Sequence, residues 1–171
     1  MKKIIIVMSI IILVLMINKE DYYIIPKEAI RLRIIANSNN IEDQYIKNKV
    51  KENINKEIEN ILTTTTIEES RNKIKENIEK IDKTIRNTLK EEGYNYKYKI
   101  SYGQNYFPEK IYKNVKYEEG NYESLVITLG KGEGNNWWCV LFPPICVIEE
   151  TETKDIEYKS YIKEIITKYV K

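Results

Sequence analysis

The chain carries 28 Lys and Arg against 26 Asp and Glu over 171 residues, with two Cys and no His. That length fits one domain; the lack of His excludes Ser-His-Asp and Cys-His relays and His-containing zinc sites, and two Cys are too few for a four-thiolate site. Lys2 and Lys3 supply the whole basic excess, which leaves 26 basic against 26 acidic residues elsewhere and no surplus for binding nucleic acid.

Lys2 and Lys3 precede Ile4 to Ile17, a stretch in which only Ser9 is polar. As a helix it would be roughly 21 Å long, short of the roughly 30 Å hydrocarbon core. Residues 1–18 read as a signal peptide or signal anchor, with residues 4–17 in the membrane. No small-x-small cleavage site follows, because Met16, Ile17, Asn18 and Lys19 are all large, which favours an uncleaved anchor over a cleaved signal. The paired lysines place the N-terminus in the cytoplasm and residues 19–171 outside it, as a single extracytoplasmic domain. A buried N-terminal element of a soluble protein is the competing reading.

Ala29 to Asn37 has the β-branched, partly alternating pattern of a strand. Ser38-Asn39-Asn40 supplies turn and capping chemistry, with Glu42 and Asp43 in the first turn of a helix. Ile46, Val50, Ile54, Ile58 and Leu62, with Tyr45 and Ile61 beside them, form its apolar stripe. Thr66-Ile67-Glu68-Glu69 reads as a capping box opening a second helix, with a stripe of Ile67, Ile74, Ile78, Ile81, Ile85 and Leu89 and a left-handed stop at Gly93. From Tyr94 the period becomes two, and strands are predicted over Tyr94–Tyr102, Ile111–Tyr117, Tyr122–Leu129 and Trp137–Ile148. Gly130 to Gly134 reads as a hairpin turn; a phosphate loop would need Gly-Lys-Ser/Thr opening a helix. Tyr158, Tyr161, Ile162, Ile165, Ile166 and Tyr169 mark a C-terminal helix. The expected fold is α+β: a mostly antiparallel sheet of about four to five strands, two amphipathic helices packed on it, and a C-terminal helix behind the membrane segment.

Eight of the fourteen tyrosines fall between Tyr94 and Tyr122. At alternate positions they suit a sheet face against the helices; a stacking platform for peptidoglycan sugars is the alternative. The stretch from Trp137 to Cys146 gathers both Trp, one Phe, two Pro and both Cys into ten residues. Cys139 and Cys146 flank Pro143-Pro144 and, outside the cytoplasm, are expected to be oxidised to a disulfide. Two buried free thiols are the other possibility, and a catalytic thiol would lack its usual base. A crosslinked loop of aromatic and Pro residues would present a preorganised binding surface.

The run Asn136-Trp137-Trp138-Cys139-Val140-Leu141-Phe142-Pro143-Pro144-Ile145-Cys146 resembles the C-terminal signature of the stage II sporulation protein R family. Arg31 to Ser38 with Asp43-Gln44 is similar to that family's N-terminal block, and Phe107-Pro108, Tyr112, Gly120 to Glu123, Leu125 and Gly130 follow in matching order. The resemblance covers roughly Ile30 to Ile148. Where members often carry His, this chain has Arg33 and Asn135, and Asn39 stands at a position often held by Asp.

The resemblance implies a protein made in the forespore and exported into the intermembrane space between forespore and mother cell. There it would activate a membrane-embedded aspartic-type peptidase, its partner, which removes the pro-sequence of sigma-E. Such a protein is a signal and not an enzyme, with no catalytic residues, no metal, no cofactor and no small-molecule substrate. Trp137, Trp138, Phe142, Pro143 and Pro144 are the expected partner-binding anchors, displayed on the crosslinked loop, with Asn37 and Asn136 as orienting hydrogen-bond groups. The alternative is an extracytoplasmic peptidoglycan-binding or cell-wall hydrolase domain, motivated by the Tyr-rich strands.

Overall fold

The computed structural model describes residues 23–63, 66–112, 115–146 and 163–169. The apolar segment 4–17, the last residues of the predicted fourth strand and the start of the predicted C-terminal helix lie outside the described residues. The elements run β1 (Tyr23–Ile24), β2 (Ile30–Ile35), α1 (Ile41–Ile61), α2 (Ile67–Glu76), α3 (Ile78–Glu91), β3 (Tyr98–Phe107), β4 (Lys110–Tyr112), β5 (Val115–Tyr117), β6 (Gly120–Leu129) and β7 (Asn136–Phe142). A short helix covers 163–169.

The α+β class holds, but the sheet is mixed. Its order is β3-β6-β2-β7, with β6 antiparallel to β3, parallel to β2, and β7 antiparallel to β2. Three helices separate β2 from the later strands, and a long helical crossover of this kind lets β6 return alongside β2 in the same direction. A second sheet, β1-β5-β4, also mixes a parallel and an antiparallel pair. The segment predicted as one strand over Ile111–Tyr117 is therefore two short strands paired with each other. The Gly130–Gly134 segment is not a hairpin turn either. β6 and β7 lie on opposite sides of β2, so this connection passes over the C-terminal end of β2.

Caps and stripes formed as the residue types dictate. Asn40 Oδ1 accepts from the Asp43 amide at 2.7 Å to start α1, and Thr66 Oγ1 accepts from the Glu69 amide at 3.2 Å to start α2. At the end of α3 the Tyr94 amide donates to Leu89 O and the Gly93 amide to Lys90 O, with Gly93 at φ +66°. This double bond pattern needs a left-handed residue, which glycine adopts without a Cβ clash. It also consumes Tyr94, so β3 begins at Tyr98 and not at Tyr94. The predicted second helix is split at Asn77 into α2 and α3. There the Asn77 Nδ2 donates to Lys73 O at 2.8 Å, a local side-chain bond that competes with helical continuity.

Both faces of the large sheet are covered. Leu32, Ile34, Leu125, Ile127, Leu129, Cys139 and Leu141 form one core with Ile46, Val50, Ile54 and Ile58 of α1 and Ile81 and Ile85 of α3. The opposite face carries Phe107, Tyr122, Val126, Trp138 and Val140, packed with Ile25 just after β1, Val115 and Tyr117 of β5, and Ile165 and Ile166. The tyrosines divide accordingly. Tyr98 and Tyr102 lean on the helix-side core, Tyr117 and Tyr122 are buried on the other face, and Tyr96 and Tyr106 are exposed.

Candidate functional site

The chain turns out of β2 at Asn37 and Ser38 and enters α1 through Asn40. This turn and the crossing loop 130–135 are stitched together around one buried carboxylate. Asn37 Nδ2 donates to Asp43 Oδ2 at 2.8 Å, Ser38 Oγ donates to the same oxygen at 2.6 Å, and the Tyr94 hydroxyl donates to Oδ1 at 3.0 Å. Burial raises the Asp43 carboxyl, but the hydrogen bonds from Ser38, Asn37, Tyr94 and Asn40 outweigh it and hold the group below the ordinary aspartate range. Burial first, then the bond to Asp43, pushes the Tyr94 phenol upward.

The loop closes on the other side of the same turn. The Lys131 amide donates to Asn37 Oδ1 at 2.9 Å, Glu133 N to Asn37 O at 3.0 Å, Gly134 N to Ala36 O at 2.9 Å, and Asn135 N to Asn39 Oδ1 at 2.6 Å. A Cβ on Gly130 would stand 2.2 Å from Asn37 Oδ1, and its φ is +55°. Gly130→Ala is therefore expected to lower stability by about 2 kcal/mol through a clash and a strained backbone together, read as a drop in melting temperature.

β7 leaves this turn at Asn136. With its amide oriented so that Oδ1 faces β2, Asn136 accepts from Arg33 Nε at 3.1 Å and Nη2 at 2.8 Å and donates to Gly134 O at 3.2 Å. Trp137 is half-buried on the helix side, with Lys51 Nζ 5.4 Å from its ring centre. Trp138 lies on the opposite face, 8% exposed, edge-on to Phe107 at 5.3 Å and to Tyr117 at 6.4 Å. Arg33 and Lys110 place their charges 5.7 and 5.0 Å from its ring centre. Phe142 is buried against Tyr169, Pro143 is buried, and Pro144 is half-buried.

The expectation of a displayed aromatic loop is thus corrected. Successive side chains of β7 point to two faces, both covered, and the strand carries Trp138 and Phe142 into packed interior. Asn37 and Asn136, expected as ligand-orienting groups, spend their hydrogen bonds on the protein's own loops. Trp137 and Pro144 retain partial exposure.

Cys139 and Cys146 are joined in a disulfide, with Cα atoms 5.4 Å apart across the Pro143-Pro144 turn. Of the two states left open by the residues, the oxidised one is present. Closing this short loop stabilises the fold by about 2–3 kcal/mol in the chain-entropy model. Reduction should add two hydrogens by intact mass and shift the denaturation midpoint down accordingly.

Arg31 was not singled out by its residue type. It is fully buried beneath the small sheet, its guanidinium 3.4 Å from the Tyr122 ring centre and within 5.7 Å of those of Phe107 and Tyr117. Among the described residues only Nη1 has an acceptor, Glu118 O at 3.5 Å, while Nε and Nη2 have none. Burial lowers its pKa, and the guanidinium remains charged. Arg31 and Arg33 at alternate positions of β2 read as a solvated face, so nothing local signalled that this face is covered. Asp43, Ser38 and Tyr94 were missed as a unit because Tyr94 lies 51 positions from Asp43. Among the described residues no group of three His, Cys, Asp or Glu is arranged to hold a metal ion.

The family model for stage II sporulation protein R (spore_II_R) matches residues 26–152. A curated relative, stage II sporulation protein R of Bacillus subtilis (strain 168), is 42% identical over 127 residues, which cover 74% of this chain. The chain spans 57% of that relative's length. No solved structure matches the chain. The matched region takes in β2 with the Asp43 turn, the crossing loop and β7 with its disulfide, and the chain belongs to the stage II sporulation protein R family.

Proposed function

We propose that this chain is an exported sporulation signalling protein that activates a membrane-embedded aspartic-type peptidase and so triggers processing of pro-sigma-E. The observation that carries the reading is the family match over residues 26–152. The Cys139–Cys146 disulfide supports an oxidising compartment, the intermembrane space between forespore and mother cell, because such bonds do not persist in a reducing cytoplasm. Residues 1–18 act as signal peptide or anchor, and 19–171 as one extracytoplasmic domain. No helix among the described residues is long and apolar enough to cross a membrane; in this reading the apolar segment 4–17 is the membrane attachment. The chain acts by binding, not by catalysis. To switch its receptor it must bind the active receptor state more tightly than the inactive one, and a tenfold shift takes about 1.4 kcal/mol of difference.

Co-expression with the candidate peptidase and pro-sigma-E in a non-sporulating host tests this. A chain lacking residues 1–18 but fitted with another export signal should restore processing from outside the membrane and fail when kept inside. Processing that is absent in both cases, with the exported domain folded and stable, would defeat the reading.

A further inference from the structure

β7 is an edge strand, paired only with β2 among the described residues. Its C-terminal half is closed by its own loop, since the Ile145 amide donates to Val140 O at 3.2 Å. That bond shows Val140 O pointing away from β2, and alternation along a strand then turns the backbone groups of Trp138 and Asn136 outward as well. No described residue pairs with them.

Cations flank this short open stretch on both faces. On the helix side stand Lys51, over Trp137, and Lys47, which is buried and reaches Asn135 O at 3.5 Å and Gln44 Oε1 at 2.7 Å. On the other side stand Lys110 and Arg33, both over Trp138. Lys47 is close enough to Lys110 and Lys51 for their charges to depress it further, after burial. None of Lys47, Lys51 and Arg33 is ion-paired with an acidic side chain among the described residues, although seven ion pairs form elsewhere.

We propose that the Asn136–Trp138 edge of β7, bracketed by Lys47, Lys51, Lys110 and Arg33, docks an acidic extended segment of a protein partner by strand addition. Backbone bonds to Asn136 and Trp138 set the register, and acidic side chains at alternate positions of the partner meet the cations on either face. Trp137 and the rim of Trp138 supply the apolar contact. That the partner is the peptidase rests on the signalling reading; the peptide chemistry does not.

The probe is a short capped peptide alternating Glu with Val, titrated into the full exported domain by calorimetry and tryptophan fluorescence. Binding is expected at low salt, weakened at high salt. It should be lost when alternate peptide amides are N-methylated, and reduced by about tenfold or more in Lys51→Glu/Lys110→Glu. Lys83→Glu/Lys99→Glu, with the same change in net charge, should bind as the wild type does. If the first variant is misfolded by circular dichroism, Lys51→Gln/Lys110→Gln replaces it. Equal binding of a Lys-Val peptide, or undiminished binding of the N-methylated one, overturns the proposal. So does binding that arises only after Glu149, Glu150, Glu152, Asp155 and Glu157 are replaced by Gln, since the chain's own acidic stretch would then be the occupant. In the co-expression assay, full processing by Lys51→Glu/Lys110→Glu removes this edge from the receptor contact and leaves the signalling reading standing; no processing by the wild-type chain defeats the signalling reading instead.

Discussion

Trp138→Ala should destabilise the domain by about 3–5 kcal/mol, the range for deleting a large buried aromatic. The ring is closed in by Phe107 and Tyr117 and lies under the charges of Arg33 and Lys110, so its removal leaves a void between two sheets. Trp137→Ala should cost less, about 1–2 kcal/mol, because that side chain is only half-buried. Urea denaturation of the two exported variants checks the difference. The contrast separates packing from contact: a loss of processing in Trp138→Ala that tracks its unfolding reports core, whereas a loss in folded Trp137→Ala reports the partner surface. Equal and small destabilisation by both would mean that β7 does not carry Trp138 into the interior.

Asp43→Ala should be nearly as damaging, about 3 kcal/mol, because Asn37, Ser38 and Tyr94 would lose a charged acceptor that none of them can replace. Asp43→Asn should cost less, since one amide oxygen still accepts. The carboxyl's pKa is lower in the folded chain than in the unfolded one. Its contribution is therefore complete above the ordinary aspartate pKa and is lost as pH falls through the depressed folded value. Glu123 acts in the same direction, held low first by its hydrogen bonds from Arg71 and further by the Tyr102 hydroxyl. Stability measured from neutral to acid pH should fall more steeply in the wild type than in Asp43→Asn or Glu123→Gln, each variant lacking its own share. An acid limb unchanged in Asp43→Asn would show that the buried carboxylate is not what ties the turn to the helix.

Local signals were legible wherever one residue's chemistry decides local geometry. Asn40 and Thr66 start their helices through their side chains, Gly93 ends α3 through its lack of one, and Ile46, Val50, Ile54 and Ile58 of α1 face the core while Tyr45 is exposed. The Cys139–Cys146 pairing across Pro143-Pro144 was readable from the spacing as one of two open states. The family was readable from an unusual block of residues.

The amino-acid sequence alone determined the helical and strand regions and the caps at Asn40, Thr66 and Gly93, because propensity and capping act over a few neighbouring residues; it left open the break at Asn77, the start of β3 and the state of the two cysteines. Only the tertiary structure decided that β6 lies parallel to β2, that the glycine loop crosses over β2, and that Trp138 and Arg31 face a covered layer. A strand's alternation shows that it has two faces without showing what covers each. That depends on contacts between residues far apart in the chain, here the small sheet of β1, β5 and β4 and residues 163–169 closing over the face opposite the helices.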